Sequence, residues 1–146
     1  MEQLKIKTVN YSQHLTEINS IRRVVFQIEQ GVPSELEFDG KDETAQHLLA
    51  YLNDKPVGTL RMRNLDANMV KIERLAVLKE ARGKGIADQL MKEALGVISA
   101  QKYSQVIVHA QVYIKNLYEK LGFTQEGTTF VEAGIPHVKM IKLLGN

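Results

Sequence analysis

The sequence predicts an α/β protein, a mixed sheet flanked by helices. Three observations carry that reading. Between Gln46 and Leu78, apolar strand-like runs follow one another across short polar turns, with no helix between them. A small basic glycine loop, Glu80-Ala81-Arg82-Gly83-Lys84-Gly85, then separates the last of these strands from a long amphipathic helix. After it a Val- and Ile-rich strand, a short helix and two more strands complete the chain. Helices thus enter between strands at the start and after the glycine loop, and hairpins dominate elsewhere.

Taken in order, Leu4 to Val9 reads as the first strand. Ser12 is placed to cap a helix carrying Leu15, Ile18, Arg22 and Val25, and Gly31-Val32-Pro33-Ser34 breaks it. Gln46 to Leu52 and Pro56 to Arg63 are strands joined through Asn53-Asp54-Lys55. Asp66-Ala67-Asn68 is the next turn, and Met69 to Leu78 the next strand. Ile86, Leu90, Ala94 and Ile98 share one face of the following helix, with Met91 beside them. Gln105 to Ala110 is a strand and Ile114 to Leu121 a short helix, for which Gly122 is a left-handed cap. Two strands follow Phe123, turning at Gly134-Ile135-Pro136, the last of them Val138 to Leu143.

A chain of 146 residues is read as one domain over 1–146. Its formal net charge of +2 does not suggest nucleic-acid binding by bulk charge, and no recognition motif or aromatic-basic platform is present. The chain contains no cysteine, which excludes disulfides, thiolate nucleophiles and Cys-ligated metals. The histidines, His14, His47, His109 and His137, are not closely paired, so no metal is expected. Met1-Glu2-Gln3-Leu4-Lys5 does not begin a signal peptide, and no apolar run approaches the ~18 to 20 residues of a membrane span. The expected location is cytoplasmic.

The glycine loop suits a phosphate. Glycines let the backbone approach a ligand, unpaired N–H groups face outward, and the helix dipole favours an anion. It is not a Walker loop, and from Gly83 a dinucleotide fingerprint fails at Asp88. Arg82-x-x-Gly85-x-Ala87 resembles instead the Gln/Arg-x-x-Gly-x-Gly/Ala motif of the GNAT superfamily of N-acyltransferases, whose loop holds the pyrophosphate of acetyl-CoA. Glu73-Arg74-Leu75-Ala76-Val77 resembles that family's preceding strand, and Asn116-Leu117-Tyr118-Glu119-Lys120-Leu121-Gly122-Phe123 its late signature. Arg23 to Gln30, Phe38 to Asp42 and Gly134-Ile135-Pro136-His137 are similar to the ElaA-like branch. The resemblance covers nearly the whole chain. It implies a twisted, mostly antiparallel sheet and an acetyl-CoA-dependent N-acetyltransferase with a primary amine as acceptor.

Acyl transfer from a thioester needs the co-substrate held, the amine deprotonated, the oxyanion stabilised and the thiolate neutralised. The resemblance assigns cofactor binding to Arg82, Gly83, Lys84, Gly85, Ile86 and Ala87, and to the backbone of Leu75, Ala76 and Val77, where a bulge splays the sheet. Tyr118 matches the tyrosine that protonates the departing thiolate, with Tyr113 behind it. Gln111 stands where many relatives carry Asn. Glu73 and Glu29 are the first candidates for the general base, ahead of Asp39, Asp42 and His47. Glu29, Asp39 and His137 are the substrate candidates, and His109 reads as structural. Direct attack in a ternary complex fits the absence of cysteine.

A small-molecule amine is the leading acceptor. A protein or peptide acceptor, or a CoA-binding sensor without catalysis, are the alternatives. Glu35, Glu37, Asp39, Asp42 and Glu43 form either an acidic rim for a cationic amine or a solvated loop. Dimers are common among relatives, and no residue pattern here demands a homodimer.

Overall fold

The computed structural model describes residues 2–145; Met1 and Asn146, the ends of the predicted domain, lie outside them. Seven strands form one sheet in the order β1-β2-β3-β4-β5-β7-β6. They are β1 (Leu4–Asn10), β2 (Gln46–Leu52), β3 (Lys55–Asn64), β4 (Met69–Val77), β5 (Gln105–Gln111), β6 (Thr124–Glu132) and β7 (Ile135–Leu143). Only β4 and β5 run parallel; every other neighbouring pair is antiparallel. The parallel pair is where the chain crosses over through helix α3 (Ile86–Ala100).

Local chemistry explains most element ends. Helix α1 (Tyr11–Arg22) is capped by Asn10, whose side chain accepts from the Gln13 amide at 2.9 Å, so the cap lies two residues before the expected Ser12. The helix continues in wider π turns over Arg23–Glu29 and ends before Gly31. A short turn of helix, α2 (Ser34–Glu37), follows Pro33 and was not legible beforehand. Asn53 and Asp54 both take positive φ, the two-residue hairpin geometry that matches strand twist. The last helix, α4 (Lys115–Lys120), is entered through a 3₁₀ turn over Val112–Ile114, and Gly122 leaves it at φ +93°.

The final turn differs from expectation. Ala133 and Gly134 carry the positive φ angles, and Pro136 lies inside β7, paired with Val131. The pairing of β7 with β5 reaches no further than His137. Pro136 therefore sits just past the ladder that its missing N–H would have broken.

The core has a layer on each face of the sheet, one under α1 and its π turns, where Ile18, Ile21 and Val25 are buried, and one under α3. Leu60 and Met62 of β3, Ile72 of β4 and Val106 and Val108 of β5 alternate onto a buried face together with Leu90, Met91, Ala94 and Ile98. Gly58 shows how close this contact is, because a Cβ there would stand 3.1 Å from Leu90 Cδ1. The intervening residues of β3 and β4, Arg61 and Glu73 among them, carry charge on the opposite face. There α1 brings Arg22 down onto Glu37 and Asp42.

Candidate active site

A break in the sheet creates the site. Strands β4 and β5 pair only from Met69–Gln105 to Ile72–Val108. Beyond that point β4 continues to Val77 and β5 to Gln111 without a shared ladder. The cause is a bulge in β4. Thr59 and Arg61 of β3 face Ala76 and Glu73, so two steps on one strand oppose three on the other. Arg74 absorbs the extra residue at φ +58°, and its guanidinium is tied to the carbonyls of Leu36 (3.3 Å) and Glu37 (3.1 Å). The wedge opens into a cavity of about 1270 Å³, walled by Leu75, Ala76, Val77, Gln111 and Tyr118.

The glycine loop lies at one end of this wedge. Gly85 is the residue before α3 and takes φ +75°, a left-handed conformation that glycine adopts without steric cost. A Cβ built on it would meet nothing within 4 Å, so the loop presents bare backbone to open space. The first N–H of α3 to bond back is Gln89 to Gly85 O at 3.0 Å, which leaves the amides of Ile86, Ala87 and Asp88 without a carbonyl one turn behind. The basic side chains are occupied. Arg82 donates to Val77 O (3.0 Å) and grips both oxygens of Glu29 (3.0 and 2.7 Å), while Lys84 pairs with Glu2 at 2.8 Å. In this conformation the loop offers a phosphate its backbone, and the Arg82 and Lys84 side chains reach it only by exchanging partners.

Tyr118 borders the wedge from α4 and is 5% exposed, its ring edge-on to Phe123 at 5.8 Å. Burial, with a smaller contribution from Tyr113, pushes its phenol above the ordinary tyrosine range. It therefore holds its proton at neutral pH. Tyr113 is 72% exposed at the cavity mouth. Gln111 is on the wall, where its amide donates to Gln30 at 3.0 Å.

Residues 13–144 match the family model described as the acetyltransferase (GNAT) domain. The chain belongs to this family. It is 33% identical over 140 residues to the N-acetyltransferase YjcF of Bacillus subtilis, covering 95% of this chain and 99% of that protein. Among solved structures, Escherichia coli ElaA superposes with a TM-score of 0.85 at 27% identity, covering 96% of this chain and 99% of ElaA. A GNAT acetyltransferase from Elizabethkingia anophelis, solved with acetyl-CoA bound, shares the fold at a TM-score of 0.75 and 15% identity, covering 97% and 98% of the two chains.

The end of the cavity lined by Glu73 and Asp39 differs from the reading of the sequence. Glu73 faces it but is clamped by Arg61 (2.8 Å), Arg63 (2.9 Å) and Lys71 (3.2 Å). Burial alone would raise this carboxyl, yet the hydrogen bond from Arg63 and the charges of Arg61 and Lys71 hold it at about 2. Such a group is a poor proton acceptor at neutral pH. Asp39 is held well below the carboxylate range, burial being overcome by its bonds from Arg61 (2.9 Å) and the charge of Arg74. Asp42 pairs with Arg22 (2.6 Å) and Arg61 (3.0 Å), and His47 is fully buried against Asp42 O; neither lines the cavity. Three of the five acidic residues are no free rim, since Glu37, Asp39 and Asp42 bond Arg22, Arg61 and Arg74, while Glu35 and Glu43 stay exposed.

Two residues absent from the sequence-based assignment enter the site. His109, expected to be structural, lines the cavity from β5, and Glu132 reaches it from β6. They meet at 3.0 Å. His137 stands beside them on β7, its Nδ1 donating to Ile135 O at 2.7 Å and its ring stacked on Phe130. Among the described residues no His, Asp and Glu grouping has the arrangement of a metal site.

The buried ion pairs make the domain acid-sensitive. Glu73, Asp39 and Asp42 all have depressed values in the folded state, so the native protein binds fewer protons than the unfolded chain. Their stabilisation is complete above the ordinary carboxylate value and is lost as pH falls from 4.5 towards about 2. His47, whose value burial lowers from 6.5, adds a gentler loss beginning below that pH. The urea midpoint should fall slightly between about pH 7 and about pH 5, then steeply by about pH 3.5. Equal midpoints at the two extremes would contradict these assignments.

Proposed function

We propose that the protein transfers an acetyl group from acetyl-CoA to the primary amine of a small molecule, by direct attack in a ternary complex. The observation that carries this reading is the wedge between β4 and β5, which runs from the bare loop at Gly85 to the polar end at His109 and His137. Backbone amides at the loop suit a pyrophosphate. The unpaired edge of β4 at Leu75, Ala76 and Val77 suits an extended amide-bearing arm, which adds to a strand edge as a peptide does. Bound acetyl-CoA supplies a thioester already activated for attack, so no covalent enzyme intermediate is required.

The chain's own residues then divide the work. Backbone N–H groups at the Arg74 bulge are the proposed donors to the developing oxyanion. Tyr118 donates its proton to the leaving sulfur. Burial keeps the Tyr118 phenol protonated, so it has a proton to give. Glu29 positions Arg82, and Glu73 braces Arg61 and Arg63 across β3 and β4. We assign a small amine to the end of the cavity lined by two separate segments of the chain. Leu36, Glu37 and Asp39 line it from the segment after α1, and Glu132, Ile135 and His137 from the hairpin of β6 and β7.

The test is thiol release from acetyl-CoA in the presence of a panel of small primary amines and a parallel panel of lysine-containing peptides. Release that depends on a small amine supports the reading. Release with peptides alone would move the acceptor class to proteins, and release with neither would remove catalysis.

A further inference from the structure

With Glu73 and Asp39 neutralised by arginines, the cavity needs another group to accept the proton of an ammonium. One arrangement in it has the required geometry. His109 is the first residue of β5 past the parallel ladder, since the last pair is Ile72–Val108, so it stands where β4 has peeled away. Its Nδ1 faces Glu132 Oε1 at 3.0 Å. A carboxylate only accepts, so Nδ1 carries the hydrogen and Nε2 of the neutral ring carries the lone pair. Phe130 packs edge-on against the ring at 5.1 Å and fixes its plane. The side chain of His109 remains 26% exposed and lines the cavity.

We propose that His109, oriented by Glu132, is the proton acceptor for the incoming amine. This rests on the acetyl-transfer reading above. An ammonium R–NH₃⁺ gives one proton to His109 Nε2, directly or through one water. The neutral amine attacks the thioester carbonyl, forming the C–N bond. As the C–S bond breaks, Tyr118 gives its proton to the sulfur and takes the second proton of the nitrogen in its place, so the phenol is restored. The products are the amide and the CoA thiol, and the imidazolium returns its proton to solvent. Glu132 stabilises that imidazolium through the same hydrogen bond.

The competing histidine is less suited. His137 is tautomerically fixed by Ile135 O, but its Nε2 points at Glu132 Oε2 at 3.8 Å and its side chain is 7% exposed. It has no hydrogen-bonded carboxylate to orient it and is far less exposed than His109. The charged groups facing His109 are Glu132 on β6, Lys139 and His137 on β7, and Lys71 and Glu73 on β4. The carboxylate of Glu132 is the one in contact.

The experiment compares wild-type, H109Q and E132Q proteins in acetyl-CoA affinity by calorimetry, and in kcat as a function of pH with the best amine of the panel. H109Q should keep its acetyl-CoA affinity and lose about 10² to 10³-fold in kcat, with the limb that reports the base removed from the profile. E132Q should lose about tenfold in kcat with acetyl-CoA affinity kept, because the ring loses the hydrogen bond that orients it. Wild-type kcat and profile in H109Q, with acetyl-CoA bound, would overturn the proposal while leaving acetyl transfer intact. Failure of the wild-type protein to bind acetyl-CoA, or to cleave it with any amine, would overturn acetyl transfer and this proposal together.

Discussion

Gly85→Asp is expected to abolish acetyl-CoA binding while the protein still folds. Two effects act together. The left-handed backbone at φ +75° costs an L-residue about 1 to 2 kcal/mol. That cost falls on a loop outside the core, and an added Cβ meets nothing within 4 Å beyond its chain neighbours. Its carboxylate would instead enter the open space in front of the unpaired amides of Ile86, Ala87 and Asp88. Like charges about 4 Å apart at an effective dielectric of ~20 repel by about 4 kcal/mol, which corresponds to roughly a thousandfold in affinity. Calorimetric titration with acetyl-CoA, alongside a thermal melt, separates the two effects. A melting point near wild type with no measurable binding is the expected pair. Unchanged affinity would mean that the loop does not meet phosphate.

Tyr118→Phe should act on turnover and leave binding alone. The hydroxyl is removed from a ring that keeps its edge-on packing with Phe123, so the fold loses little. Loss of a positioned proton donor typically costs 10² to 10⁴-fold in rate, and a decrease of about 10² to 10³-fold in kcat with an unchanged acetyl-CoA dissociation constant is expected. A purely structural tyrosine would show the reverse pattern, a lowered urea midpoint with kcat retained. Tyr113 provides the control. At 72% exposure it stands at the mouth, and Tyr113→Phe should leave kcat within about twofold of wild type.

The features legible in the sequence are those whose chemistry is local. The loop from Arg82 to Ala87 announces itself through its glycines and the helix that follows, and the strand before it through its apolar alternation. Gly122 follows a short helix and takes the left-handed angle expected of it. Local ambiguity explains the smaller differences. Asn10 and Ser12 can both cap a helix, and only the register of β1 against β2, ending at Asn10–Gln46, settles that the chain turns at Asn10. The positive φ needed by the last hairpin is met by Ala133 and Gly134, which frees Pro136 to join a strand.

The polar interior was hidden for another reason. Arg61 touches Asp39, Asp42 and Glu73, residues 12 to 22 positions away in the chain, and Arg22 meets Glu37 15 positions on. No periodicity links them. Glu73 consequently looked like a free carboxylate on an active-site strand, where the fold surrounds it with cations. His109 and Glu132 lie 23 positions apart, on the two strands that flank β7, and their side chains meet across it. A histidine at the end of a Val-rich strand carries no sign of that partner. Recognising that the parallel ladder ends one residue earlier is what gives it a role.

The most direct test of the account is a calorimetric titration of the unmodified protein with acetyl-CoA, with ATP in parallel as a phosphate-bearing control. The wedge and loop together predict saturable binding of acetyl-CoA at one site per chain and little or none of ATP, which has phosphates but no arm to lie along β4. Absence of acetyl-CoA binding, or equal binding of both, would contradict the central claim that the break between β4 and β5 is built to hold this co-substrate.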